Sequence, residues 1–160
     1  MTIKVGDTLP DATFMTFGTD GPGPVSTDDV FAGKTVALFA VPGAYTPTCS
    51  AKHLPGFIEK TGELKAKGVD AIVCTSVNDV FVMDAWGKDQ GAGDQVMMLA
   101  DGNGQFADAI GLGLDASGFG MGKRSQRYAM VVKDKVVDKL YVEAPGDFDV
   151  SSAEHMLADL

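Results

Sequence analysis

Residues 41–57 read VPGAYTPTCSAKHLPGF and contain Cys49, one of only two cysteines in the chain. The thiol closes a loop stiffened by Pro42 and Pro47, whose rings fix φ, and opens a stretch with helical spacing. A cysteine reacts as its thiolate, and the free amino acid keeps its proton up to about pH 8.5. Two features of this stretch favour the anion. Cys49 falls in the first turn of a helix, where unpaired N–H groups and the helix dipole attract negative charge. Thr46, three residues earlier, brings a hydroxyl donor. A cation from elsewhere in the chain would complete the pocket. Gly43 allows a tight turn or close backbone approach. Such donors suit a small polar substrate on which negative charge develops. A buried, inert cysteine fits the same spacing, and both readings stand at this point.

Other thiol chemistries lack their partners. A dithiol redox site needs C-x-x-C, but the positions three residues either side of Cys49 hold Thr46 and Lys52. A phosphatase loop needs an arginine soon after the cysteine, and residues 50–56 read SAKHLPG. For a cysteine protease only His53 and His155 offer a base, and the chain is short for that fold. Two cysteines and two histidines without paired spacing do not make a zinc site.

The elements that would position Cys49 follow from local pattern. ATFMTF (12–17) reads as a strand and GTDGPGP (18–24) as a turn. Ser26 or Thr27 caps a short helix ending at Gly33. KTVALFAV (34–41) is a buried strand, and Cys49 lies just past its carboxyl end, where α/β sheets place their sites. A helix follows, kinked by Pro55 and stopped by Gly68. Strands over 69–77 and 95–101 alternate with a helix over 78–89, capped by Asn78 or Asp79, and a short helix at GQFADAIG. Phe81 and Trp86 are expected in the core, with Met83, Met97, Met98 and Met130 as core filler. The glycine-rich segment from 111 onward is too rich in glycine for a regular element. QRYAMVVKDKVVDKLYV (126–142) reads as a hairpin turning at 133–135. The acidic stretch 143–149 reads as a solvated loop. Ser151 or Ser152 begins a last helix, with Glu154 placed for a capping box. The expected plan is α/β, a mixed sheet with helices on both faces and a right-handed crossover between the strands at 34–41 and 69–77.

The 160 residues suggest one domain, 1–160. A net charge of -9 argues against nucleic acid or an anionic membrane as partner. No apolar run is long enough to span a membrane, and the first residues do not read as a secretory signal. With two cysteines far apart, these features point to a reducing cytoplasm.

The loop meets the P-x-x-x-T-x-x-C pattern of the peroxiredoxins with Pro42, Thr46 and Cys49. HLPGF at 53–57, TSVND at 75–79 and RYAMVV at 127–132 resemble the type II (Prx5) subfamily, over nearly the whole chain. The resemblance implies a thioredoxin-like fold and thiol-dependent reduction of hydrogen peroxide and small alkyl hydroperoxides, with no metal, flavin or haem. It implies that Cys49 is the peroxidatic cysteine and passes through a sulfenic acid. Thr46 would orient thiolate and peroxide, Pro42 would shield the sulfenate, and Arg127 would be the missing cation. Cys49, Thr46, Arg127 and Gly43 would line the substrate site. Some members carry a resolving cysteine near the C-terminus; here FDVSSAEHML has none, favouring a one-cysteine cycle with glutaredoxin/glutathione or thioredoxin as reductant. Cys74, inside an apolar strand, reads as an inert thiol, with a resolving role as the alternative. His53 reads as a structural histidine, with a secondary role near the entrance as the alternative. Relatives form homodimers around the active-site loop, where Phe119 and Met121 would be contact points. The rival to an enzyme is a redox-sensing interaction protein whose partner binding changes when Cys49 is oxidised.

Overall fold

The computed structural model describes residues 2–160. Strands β1 (Thr13–Gly18) and β2 (Gly21–Ser26) precede helix α1 (Thr27–Phe31) and strand β3 (Thr35–Ala40). A π-helical turn (Cys49–His53) leads into α2 (Leu54–Glu59) and α3 (Thr61–Ala66). Then come β4 (Ala71–Ser76), α4 (Val80–Gln90), β5 (Met97–Ala100) and α5 (Gln105–Ala109). The chain ends with β6 (Gly113–Asp115), β7 (Lys123–Ser125), the hairpin β8 (Tyr128–Lys133) and β9 (Val136–Val142), and α6 (Ala153–Asp159).

The main sheet has seven strands in the order β2-β1-β5-β4-β3-β8-β9. β3 runs parallel to β4, and β4 to β5, while β8 is antiparallel to β3. The central strands are buried along almost their whole length, which is why they read as continuous apolar runs. Side chains alternate between two cores. On one face Phe39, Leu54, Phe57, Leu64, Met83, Trp86 and Met156 pack beneath α2, α3, α4 and α6. On the other, Phe14, Phe31, Leu38, Phe106 and Ile110 pack beneath α1 and α5. Helices thus cover both faces of a mixed sheet, the expected plan.

Several local expectations are corrected. The segment 18–24 is not a simple turn: residues from Gly21 form β2, paired with β1 through Phe17↔Pro22 and Met15↔Pro24. Two prolines are tolerated because β2 is the sheet edge, where a missing N–H costs no ladder bond. The glycine-rich segment contains the small β6–β7 sheet and a 3₁₀ turn at Ser117–Phe119. Phe81 is 63% exposed and packs edge-on to Phe17, and Met97 is also exposed, whereas Trp86 is buried. No capping box involves Glu154, because Ser152 caps α6 and its Oγ accepts from His155 N. The box forms at α1 instead, where Ser26 Oγ accepts from Asp29 N and the Asp29 carboxylate from Ser26 N.

The helix after Cys49 is widened rather than only kinked. Pro55 has no N–H for the Ala51 carbonyl, and its ring would strike that carbonyl in a regular α-helix. The turn before it opens to π geometry, with Leu54 N bonded to Cys49 O. Farther on, the Thr61 hydroxyl bonds the Phe57 and Ile58 carbonyls where α2 gives way to α3.

Candidate active site

β3 delivers the chain to the loop 42–48 at the carboxyl edge of the sheet. Val41 N still bonds Thr75 O of β4 at 3.2 Å. Beyond it the loop is tied down at Ala44, whose N–H donates to Asn78 Oδ1 at 3.0 Å. Asn78 is free for this because the adjacent Asp79 caps α4, accepting from Val82 N. Tyr45 adopts φ 65°, uncommon for a side chain with a Cβ. Gly43 is buried with no room to spare. A Cβ there would lie 3.0 Å from Arg124 Nη1, 3.2 Å from Thr46 Cγ2 and 3.4 Å from Met121 Cε. Pro42 sits half-buried where β3 ends.

Cys49 follows at the start of the π turn, with 0% of its surface exposed. Thr46 Oγ1 lies 2.7 Å from Cys49 Sγ and also 2.7 Å from Gly43 O. Arg127, 78 positions along the chain, arrives by sheet register. Ala40 of β3 stands opposite Tyr128 of β8, so the residue before Tyr128 emerges beside the loop that follows β3. Its Nη2 donates to Cys49 Sγ at 3.1 Å. The structure thus brings Thr46, Cys49 and Arg127 together within hydrogen-bonding distance.

His53 completes the arrangement in a way its sequence context did not reveal. It is fully buried, and Arg127 Nη1 donates to its Nδ1 at 2.8 Å. A guanidinium only donates, so Nδ1 carries the lone pair and the ring proton sits on Nε2. Nε2–H donates to Ser151 O at 2.9 Å. The imidazole is packed among Phe39, Phe148 and Phe57, at centroid distances of 4.8, 5.0 and 5.7 Å. Phe148 also lies beneath the Arg127 guanidinium at 5.9 Å. The segment carrying Phe148 and Ser151 is anchored by Glu143, which accepts from Asp149 N, Ser151 N and Ser151 Oγ at 2.6, 2.8 and 2.7 Å. Glu143 is therefore a buried anchor, not part of a solvated acidic loop. Burial opposes its charge, but these hydrogen bonds hold its carboxyl below the usual range. His155, the other histidine, packs edge-on against Tyr141 instead.

Burial, reinforced by the Arg127 charge, lowers the His53 pKa from 6.5 to about 3. Between those values the unfolded chain binds a proton that the native protein refuses, so stability falls as pH drops below 6.5. The loss grows as pH falls through that window and levels off below the native value, near 3. Urea unfolding across pH 7 to 4 should show a steeper loss in the native protein than in His53→Gln, which has no group to titrate there. Equal slopes would contradict a neutral buried imidazole.

Cys74 stands on β4 in register with Phe39, buried completely and free, as Cys49 is. Burial pushes its thiol well above the ordinary value, and the neighbouring Cys49 adds to this. No group of three or more potential ligands for a metal ion occurs among the described residues. Trp86, the only tryptophan, donates Nε1–H to Ser50 Oγ at 3.0 Å, one residue from Cys49. Its fluorescence is therefore expected to change when Cys49 is oxidised.

The sequence does not single out Asn78, Phe148 or Glu143 as parts of the site, and it reads His53 as a structural histidine with a role near the entrance only as the alternative. Only the HLPGF and TSVND motifs pointed near two of them, and their partners lie too far along the chain for spacing to show.

A model of the redoxin family matches residues 4–157. Peroxiredoxin-2E, chloroplastic, of Arabidopsis thaliana is 52% identical over 99% of this chain and 69% of its own length. Reduced Prx3 of Vibrio vulnificus, solved in complex with H₂O₂, is 53% identical with a TM-score of 0.95, over 99% of both chains. Peroxiredoxin 5 from Alvinella pompejana is 35% identical with a TM-score of 0.85, over 98% of this chain and 96% of its own. No described helix is long and apolar enough to cross a membrane. The thioredoxin-like frame and the full-length likeness agree: the chain belongs to the peroxiredoxins, in their type II (Prx5) branch of thiol-dependent peroxidases.

Proposed function

We propose that residues 1–160 act as one domain that reduces hydrogen peroxide and small alkyl hydroperoxides at Cys49 by a one-cysteine cycle. The observation that carries this reading is the placement of Cys49 Sγ between Thr46 Oγ1 and Arg127 Nη2, at 2.7 and 3.1 Å. In the first half-reaction the thiolate attacks one peroxide oxygen and the O–O bond breaks. The departing oxygen takes a proton and leaves as water or an alcohol, and Cys49 becomes a sulfenic acid.

Arg127 neutralises the thiolate and then meets the charge moving onto the departing oxygen. Thr46 works with a single hydroxyl hydrogen. While Cys49 is a thiol, S–H donates to Oγ1 and the hydroxyl donates to Gly43 O. Once Cys49 is a thiolate, the hydroxyl turns to sulfur or to a peroxide oxygen. His53 acts as a positioning residue, since it holds the second arm of the guanidinium. Pro42 shields the sulfenate from water. The peroxide held by the Vibrio vulnificus relative supports the substrate class.

An external thiol resolves the sulfenic acid, supplied by glutaredoxin with glutathione or by thioredoxin. Cys74 takes no part, because its thiol is protonated within a central strand. The protein works in the cytoplasm, where thiols stay reduced. It pairs as a homodimer along the edge bearing Phe119, which is 87% exposed. Peroxide loss followed with purified glutaredoxin/glutathione and with thioredoxin tests the cycle. Sustained turnover with one of them is expected. Oxidation that stops at one equivalent with both would overturn the reading in favour of a sensor.

A further inference from the structure

This inference rests on the proposed sulfenic acid at Cys49 and concerns how the reducing thiol reaches it. Cys49 has no exposed surface. A hydroperoxide is small, but a thiol carried on a peptide or protein must bring its sulfur up to Cys49 Sγ. In that step the incoming thiolate forms an S–S bond to Sγ, the S–O bond breaks, and hydroxide departs and gains a proton to become water. A second thiol then attacks the mixed disulfide, leaving reduced Cys49 and an external disulfide. The first attack needs loop 42–48 to move.

Two side-chain hydrogen bonds tie that loop to the segment that follows β4. Asn78 Oδ1 takes the Ala44 N–H and is itself fixed by the Ser76 hydroxyl. At the far end of α4, Asp89 accepts from the Tyr45 hydroxyl at 2.6 Å, and both side chains are exposed. Tyr45 meanwhile sits at φ 65°, a conformation it would leave if freed. A strained residue held by a bond that water can replace is a two-state element.

We propose that the Tyr45–Asp89 hydrogen bond is the releasable half of a latch, Asn78 being the fixed half. It sets how often the loop opens to admit the reducing thiol. Tyr45→Phe removes one hydroxyl and keeps the ring; Asp89→Ala removes the acceptor from the other side. Stopped-flow Trp86 fluorescence gives the rate of oxidation by hydrogen peroxide. Mass spectrometry of pre-oxidised protein mixed with glutathione gives the rate of mixed-disulfide formation.

Each variant should be oxidised within about twofold of the native rate, yet form the mixed disulfide about three- to fivefold faster. The double variant should be no faster than either single one, since one bond is removed in all three. Unchanged or slower disulfide formation would overturn the latch. So would multiplied effects in the double variant, or a loss in oxidation rate as large as the gain in resolution. Native protein that hydrogen peroxide fails to oxidise would instead defeat the peroxidase reading, so the two failures are distinguishable.

Discussion

Cys49→Ser loses peroxide turnover to the uncatalysed background, while Cys74→Ser keeps it per folded molecule. Both cysteines are completely buried, so exposure does not separate them. Their surroundings do. Cys49 begins a helical turn after the 42–48 loop and has a hydroxyl and a guanidinium on its sulfur. Cys74 lies between β3 and β5, in register with Phe39 and Met98, and burial keeps its proton on. Bringing it to another sulfur would unzip the middle of the sheet. Its replacement by serine puts a hydroxyl among apolar side chains, which costs about 1–3 kcal/mol of stability without touching the reacting atoms. Coupled peroxide consumption, normalised to folded protein by urea titration, checks both halves. Turnover lost in Cys74→Ser, or retained in Cys49→Ser, would reverse the assignment.

Arg127→Ala slows oxidation by hydrogen peroxide about 100- to 1,000-fold, the loss expected when a preorganised donor to developing charge is removed. The effect is large because one side chain does two things. Nη2 reaches the sulfur while Nη1 is held by His53. Alanine removes the donor and leaves the His53 lone pair buried without its partner. Lysine restores a charge but not the fork, so Arg127→Lys should recover only a small part of the rate. Stopped-flow Trp86 fluorescence over a range of peroxide concentrations measures the second-order constant. A change of less than about threefold in Arg127→Ala would remove the guanidinium from the account.

Much of this arrangement was legible before any coordinates. The runs at 34–41 and 69–77 read as buried strands because central strands covered on both faces are apolar throughout. Cys49 was placed past the end of one of them by chain order alone. Arg127 is different: composition and spacing leave it an ordinary charge at a strand start, and only the family resemblance singled it out. The antiparallel register of β8 against β3 is what brings it to the sulfur, and register is a property of the assembled sheet.

His53 reads as a structural histidine, and the buried, hydrogen-bonded ring agrees, but its partners are hidden for a related reason. Four residues after Cys49 it reads as a structural helix residue. Its partners, Arg127 and Ser151, lie 74 and 98 positions away. β2 was missed because glycine and proline mark turns by composition, yet an edge strand tolerates both. Glu143 was lost in an acidic stretch, since nothing local says that its carboxylate will receive three hydrogen bonds from its own downstream segment.

The most direct test of the central claim is to trap the sulfenic acid where it forms. The reduced protein is mixed with one equivalent of hydrogen peroxide in the presence of dimedone, digested, and its peptides weighed. The account requires a dimedone adduct on the peptide holding Cys49 and none on the peptide holding Cys74. An adduct on Cys74, or none on Cys49 while peroxide is consumed, would contradict it.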